Sequence, residues 1–431
     1  MHSLPARPAK SRLTTWIFLA LILGVGVGYL CNRYAATPAQ AKDIASYFAL
    51  LTDLFLRLIK MIIAPLIFCA LVSGLAGMGD AKTVGRIGGR AIAWFVMASL
   101  ISLAIGLALA NLLEPGANAG IPLPAANAAV DLKTSSLNLK DFLTHMVPRN
   151  IVEAMGNNEI LQIVVFSVFF GLALGSLKAS GKARALSEAI DAGVPVMLKV
   201  TSYVMIFAPI GVFAAIANVV ATQGLGVLVV YGKVMGGFYL ALLVLWATLA
   251  GLGYLVLGAR VFPLVSSIRE PMILGFTTAS SEAAYPLVME RLKEFGVSER
   301  VISFILPLGY SFNLDGSMLY TTFASLFVAQ AYGIPMGFWQ QVAMLLVLMV
   351  SSKGIAGVPR SGLVVVAAVM PMFNLPEAGV LLIMGIDVFL DMGRTATNVL
   401  GNSIATAVIA KWENAVEAEG EVAPDAVLET P

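Results

Sequence analysis

Charge is scarce in this chain. Only 12% of its 431 residues are Asp, Glu, Lys or Arg, against 59% that are hydrophobic, and the mean hydropathy is +0.88. A soluble domain carries about a quarter charged residues to coat its surface, so that class is excluded. Histidine and cysteine are scarcer still, two of each. His2 and His145 stand alone, which argues against a histidine metal centre or a catalytic triad. Cys31 and Cys69 lie in apolar segments and offer neither metal-ligand spacing nor a disulfide pattern. No basic tract with interleaved aromatics occurs, so nucleic acid is not an expected partner. The net charge of +2 adds little.

What is present is apolar length. Runs near 13–31, 46–77, 91–113, 160–177, 203–221 and 234–258 are long enough to cross a hydrocarbon core, which takes about 20 residues as a helix. The pattern predicts an all-α polytopic protein of a lipid membrane. Arg7, Lys10 and Arg12 precede the first run. That resembles the start of a signal peptide, but the run is long and has no convincing cleavage site. By the positive-inside rule the N-terminus is cytoplasmic. Asp53, Arg57 and Lys60 give the second run one polar face, which reads as an interfacial or inter-helix surface. Residues 114–158 form a long connection, and 413–431 read as an acidic, solvated tail.

The last third differs. "TTASSEAAYP" (277–286) and "SSKGIAGVPRSG" (351–362) each interrupt an apolar stretch with hydroxyls, charge and a later proline. Each contains a serine pair, Ser280–Ser281 or Ser351–Ser352. A long, unbroken helix is expected after each, over about 299–332 and 378–411. Backbone that leaves helical geometry at membrane depth must be buried in protein or line a cavity. Two such interruptions in corresponding positions point to a transporter's binding site.

The helices that follow are polar at their centres. At 100° per residue, Asp387, Asp391, Arg394, Asn398 and Asn402 fall within an arc of roughly 80°. Each Asp or Arg at a helix centre costs about 2.5–3.5 kcal/mol on the insertion scale, so this stripe needs partners, water or ligand. Asp391 and Arg394, at i and i+3, can neutralise each other. That reading leaves the asparagines unexplained. A guanidinium also matches a carboxylate, and a nearby aspartate can accept from an ammonium. The preceding helix holds "GYSFNLDGSMLY" (309–320). Unwinding near Gly309, Asn313, Asp315 and Gly316 would combine carbonyls with Asn and Asp oxygens, a set suited to a hard cation such as Na⁺. A glycine packing kink is the other reading. Glu282, within the first interruption, could carry a proton. Lys353 and Arg360 flank the second tip and read as reaching toward water.

"SFNLDGS", "GIAGVPRSG" and "DMGRTATNVLGN" resemble the dicarboxylate/amino acid:cation symporter family, which includes the glutamate and aspartate transporters. "LRLIKMIIAPLIF", "LQIVVFSVFFGLALG" and "APIGVFA" extend the likeness over nearly the whole chain. The resemblance implies a glutamate-transporter-like fold of eight transmembrane helices and two re-entrant hairpins, near 265–298 and 340–374, in inverted repeats, assembled as a homotrimer in the cell inner membrane. It implies a cytoplasmic N-terminus (1–12), then scaffold helices within 13–260 that also contribute the third and sixth helices of a transport region. The transport core would be 261–411, before an acidic tail (412–431). It also implies roles. Arg394 would hold the substrate's side-chain carboxylate and Asp391 its amino group, with Asn398, Thr395, Ser317, Ser280, Ser281, Val358 and Gly362 completing the pocket. Gly309, Asn313, Asp315, Asn398 and Asn402 would form one cation site. Carbonyls of Ser352, Lys353 and Ile355 would line another.

Departures from the family pattern carry information. Sodium-coupled relatives have an aspartate at Asn402, and a Tyr and a Thr-Ser pair at Phe95, Ala98 and Ser99. Their loss favours protons as coupling ion, with one sodium site able to survive; no cofactor is implied. Relatives selective for C4-dicarboxylates lack the counterpart of Asp391, so acidic amino acids are the expected substrate. Arg360 replaces a small residue. An intramembrane hydrolase built on Ser352–Lys353 finds no supporting motif, and a channel would ignore imposed cation gradients.

Overall fold

The computed structural model describes residues 12–35, 37–78, 81–117, 123–124, 144, 146–179, 183–224, 231–352 and 361–416. Among them the protein is helical, with one isolated bridge between Val297 and Val416. The first half runs α1 (Arg12–Tyr34), α2 (Pro38–Met78), α3 (Ala81–Leu113), α4 (Ile151–Gly156), α5 (Ile160–Ala179), α6 (Arg184–Met205), α7 (Ala208–Gln223) and α8 (Gly232–Leu257). After a 3-10 turn come α9 (Val261–Ser267), α10 (Arg269–Thr278), α11 (Ser281–Glu294), α12 (Glu299–Phe312), α13 (Asp315–Ala331), α14 (Phe338–Ser351), α15 (Ser361–Val369), α16 (Val380–Met384) and α17 (Asp387–Trp412).

By length and hydropathy α1, α2, α3, α5 and α8 can each cross a bilayer among the described residues, and the pair α6–α7, bent by 51°, adds a sixth when counted as one broken span. This is a multi-pass membrane protein. The expected run at 203–221 is corrected: the chain breaks after Met205 and the apolar helix starts at Ala208, where Pro209 opens the first turn. Proline fits there because that N–H has no intrahelical partner.

The two long helices of the C-terminal third are not unbroken. Asn313 (ψ 69°) and Leu314 (ψ 58°) leave helical geometry and divide α12 from α13. Ile386 (φ −118°, ψ 0°) divides α16 from α17. The first break lies beside Gly316, where the neighbouring chain comes too close for any side chain. The second follows Gly385, and glycine weakens a helix interior.

Two sets of helices pack around different centres. In one, α1 lies on α7, while α2 lies on α5, α6 and α7. In the other, α17 is the centre, against α8, α10, α11, α12 and α13, with α3 on α13. Helix α2 also meets α11 and α12. Every residue of α17 from Thr395 to Ala410 is buried. A helix buried all round belongs to the interior.

The start of the expected tail is docked rather than solvated. Glu413 is bound by Arg86 at 2.7 Å and Arg90 at 2.6 Å, and Arg90 also donates to the Trp412 carbonyl. Ala415 accepts from the Ser298 N–H. An arginine at a helix C-terminus satisfies orphan carbonyls and complements the dipole.

Candidate functional site

The tip of the first hairpin is built by capping. α10 ends at Thr278, and Ala279 turns through left-handed backbone (φ 49°). A non-glycine residue there costs about 1 kcal/mol or more, and such strain clusters at working sites. Ser280 is extended, and its hydroxyl accepts from the Ala283 N–H at 3.2 Å to cap α11. Ser281 and Glu282 therefore occupy the first turn of α11.

Opposite the tip stands α17. Arg394 donates through Nε to Asp391 Oδ1 at 2.9 Å, and its Nη2 lies 2.5 Å from the same oxygen. Thr395 Oγ1 donates to that oxygen too. Both charged side chains are mostly buried, so the i, i+3 pairing considered from the sequence does form. The guanidinium also lies over the Tyr320 ring, 5.7 Å from its centre. Tyr320 donates its hydroxyl to Asp387 Oδ1 at 2.7 Å. A Cβ on Gly362 would meet the Tyr320 ring and Arg394 Nη1, so only glycine lets α15 come this close.

The break between α12 and α13 is received by α17. Asn398 Oδ1 accepts from the Gly316 N–H at 2.9 Å, and Asn398 Nδ2 donates to Ser317 Oγ at 3.2 Å. One side chain thus satisfies the backbone that the break exposes and orients a hydroxyl.

These groups enclose a cavity of about 510 Å³, within the usual range for small-molecule sites. Arg394, Asp391, Asn398, Thr395, Ser317, Ser280, Ser281 and Gly362 all line it, as do Glu282 and Ser352. Val358, Ile355, Lys353 and Arg360 lie outside the described residues.

Gly309, Asn313, Asp315 and Asn402 do not line the cavity. They form a second cluster behind it. Asn402 Oδ1 packs against the Gly309 backbone, with the Phe95 ring on the same side. The Asp315 carboxylate packs against Gly401, near Asn313 Nδ2. Asn313, Asp315 and Asn402 are each at most 2% exposed. The side-chain polar atoms of Asn313 and Asn402 have no hydrogen-bond partner among the described residues. Buried polar atoms without partners are rare and call for an explanation. Ser352 stays apart: its hydroxyl donates to the Met349 carbonyl.

Some lining residues were not read from the sequence. Asp53, Leu56 and Lys60 of α2 and Asn158 and Glu159 before α5 form one wall. The polar face of α2, assigned above to an interface, therefore looks partly into the cavity. Its period was visible, but nothing local showed what it faced. Asp387, grouped with the stripe, instead turns to Tyr320.

A family model described as the Sodium:dicarboxylate symporter family matches residues 13–412. The chain is 38% identical over 423 residues to the proton/glutamate-aspartate symporter of Escherichia coli (strain K12), covering 94% of each. It is 37% identical over 412 residues to the proton/sodium-glutamate symport protein of Bacillus subtilis (strain 168), covering 94% of this chain and 93% of that protein. It is 40% identical over 409 residues to the C4-dicarboxylate transport protein of Citrifermentans bemidjiense, covering 93% of this chain and 90% of that protein. With a match along almost its whole length and a polar cavity among its apolar helices, the chain belongs to the sodium:dicarboxylate symporter family, whose members are transporters and not enzymes.

Proposed function

We propose that this protein is a secondary active symporter that imports L-glutamate and L-aspartate, driven by protons, with sodium as the second candidate ion. The observation that carries the reading is the Asp391–Arg394 pair on one wall of the cavity. A dicarboxylate needs the arginine but gains nothing from an aspartate beside it. An amino acid with an acidic side chain uses both: Arg394 takes the side-chain carboxylate and Asp391 accepts from the ammonium. Ser280, Ser281, Thr395, Asn398, Ser317 and Gly362 complete the pocket, with Val358.

The second cluster supplies the coupling ion's other requirement. Oxygens of Asn313, Asp315 and Asn402, with the Gly309 carbonyl, are hard ligands of the kind sodium takes. Asn402 is neutral, so this cluster holds one formal negative charge, on Asp315. That lowers its attraction for a cation and supports protons as the main driver. In this reading Ser352 and Ile355 carbonyls form a further cation position, and Glu282 carries a proton.

The assembly is a homotrimer in the inner membrane, with the N-terminus cytoplasmic and eight crossings counting the two broken helices. α10–α11 and α14–α15 are re-entrant hairpins in inverted repeats. The core at 261–411, with α3 and α8, moves as an elevator against α1, α2 and α5–α7, which hold the trimer together.

The C4-dicarboxylate reading is kept because a relative so named is as similar as the glutamate symporters. Labelled glutamate uptake into proteoliposomes, under an imposed proton or sodium gradient, tests the proposal. A proton gradient should drive accumulation, and excess aspartate should compete. Displacement by succinate but not by unlabelled glutamate would establish the dicarboxylate reading instead.

A further inference from the structure

Three buried hydroxyls near the first hairpin tip have no partner among the described residues: Tyr285 of α11, and Tyr310 and Ser311 of α12. Tyr285 is fully buried, and Tyr310 is 7% exposed and lines the cavity. Their rings meet edge to face with centres 5.2 Å apart. A buried hydroxyl without a partner costs stability, and phenylalanine would fill the same space without that cost. Packing therefore explains the two rings but not the two oxygens.

Glu282 and Tyr310 both line the cavity, and Tyr285 packs behind Tyr310. The charged groups that share the cavity with Glu282 come from other elements: Lys60 of α2, and Glu159 before α5. Across the cavity, Asp391 and Arg394 of α17 are occupied with each other, and Asp53 of α2 lies at the wall. Glu270 of α10 is held by Arg291 at the far end of the hairpin, 2.8 Å away. The tip carboxyl thus shares the cavity with a cation from a different helix, Lys60, and with Tyr310, whose ring packs on that of Tyr285.

We propose that Glu282, Tyr310 and Tyr285 form a hydrated proton-binding site, separate from the substrate pair Asp391–Arg394 and from the Asn313–Asp315–Asn402 cluster. A proton delivered through water becomes the O–H of the Glu282 carboxyl; no other bond changes. The two phenols hydrogen-bond the delivering water and are themselves unaltered. This inference rests on the symport reading above and names where its proton sits. Lys60 is the opposing charge when the carboxyl is ionised, so α2 senses the proton's presence.

The test compares proton-driven uptake with homologous glutamate exchange in proteoliposomes. Tyr285→Phe keeps the ring and lies outside the cavity lining. It should lower proton-driven uptake about fivefold, as loss of one hydrogen bond to the delivering water would, and shift its pH profile, with exchange unchanged. Tyr310→Phe should shift the profile in the same sense. Glu282→Gln should lose about tenfold or more of the proton-driven rate, and proportionally less of exchange. If wild type responds to the proton gradient and Tyr285→Phe keeps its rate and pH profile, the proposed site is overturned and the symport reading stands. A Tyr285→Phe variant that gains thermal stability while its profile stays unmoved overturns the site in the same way. If wild type itself ignores a proton gradient and follows sodium alone, the proton-driven reading falls and this site falls with it.

Discussion

Replacing Asp391 by serine separates the contact its carboxylate makes with Arg394 from the ammonium-binding role proposed for it. Its Oδ1 holds Arg394 at 2.5 and 2.9 Å, and the residue lines the cavity. The two side chains are 15% and 12% exposed, so the pair is largely desolvated. A hydrogen bond to a charged group contributes about 1.5–3 kcal/mol. At about 1.4 kcal/mol per tenfold, glutamate should bind about tenfold to a hundredfold more weakly. Succinate has no ammonium to lose, and it meets an arginine no longer engaged by Asp391. Its affinity should stay level or rise, so the glutamate-to-succinate ratio should fall by at least the same factor. Removing one partner of a buried ion pair also destabilises a protein, by about 3–5 kcal/mol. The assay is therefore a ratio, measured by displacement of labelled substrate from the same purified variant, which cancels any loss of folded protein. A variant that keeps wild-type glutamate affinity and still rejects succinate would refute the assignment of Asp391 to the amino group.

Three other outcomes follow from particular contacts. Tyr320→Phe leaves the ring under Arg394 but removes the hydroxyl given to buried Asp387; stability should fall by about 1–3 kcal/mol, read as a lower unfolding temperature in detergent. Gly309→Ala would place a methyl against Asn402 Oδ1, so it should weaken any sodium stimulation of uptake while leaving substrate displacement nearly intact; equal loss of both would detach this cluster from cations. Glu413→Gln weakens a link whose arginines are 52% and 41% exposed; the cost should be no more than about 1 kcal/mol and should shrink in high salt, as unfolding at two salt concentrations will show.

Much of the cavity's polar lining was legible because polar residues are expensive inside apolar helices. The stripe through Asp391, Arg394 and Asn398 and the serine pair at 280–281 stood out against their surroundings, and they line one cavity. Three things were hidden. Asn313 and Leu314 break a helix for the sake of α17, a neighbour that no local window contains. Lys60 and Glu159 reach the cavity from distant parts of the chain. Asp387 shares the helical face of Asp391, yet tertiary contact assigns it to Tyr320. Helical period gives direction around an axis; it does not say what stands opposite.

Helix α2 has 41 residues, about 60 Å of helix at 1.5 Å per residue. The hydrocarbon it must cross is about 30 Å thick. The helix therefore runs obliquely, bends at its internal Pro65, or carries apolar surface out past the lipid tails, and each arrangement responds to bilayer thickness. Lys60 lies near its middle, so a change of tilt swings the flanks of α2 more than it displaces that ammonium. Acyl-chain length then becomes a physical input to the protein, reaching the pocket through the wall that α2 contributes to it.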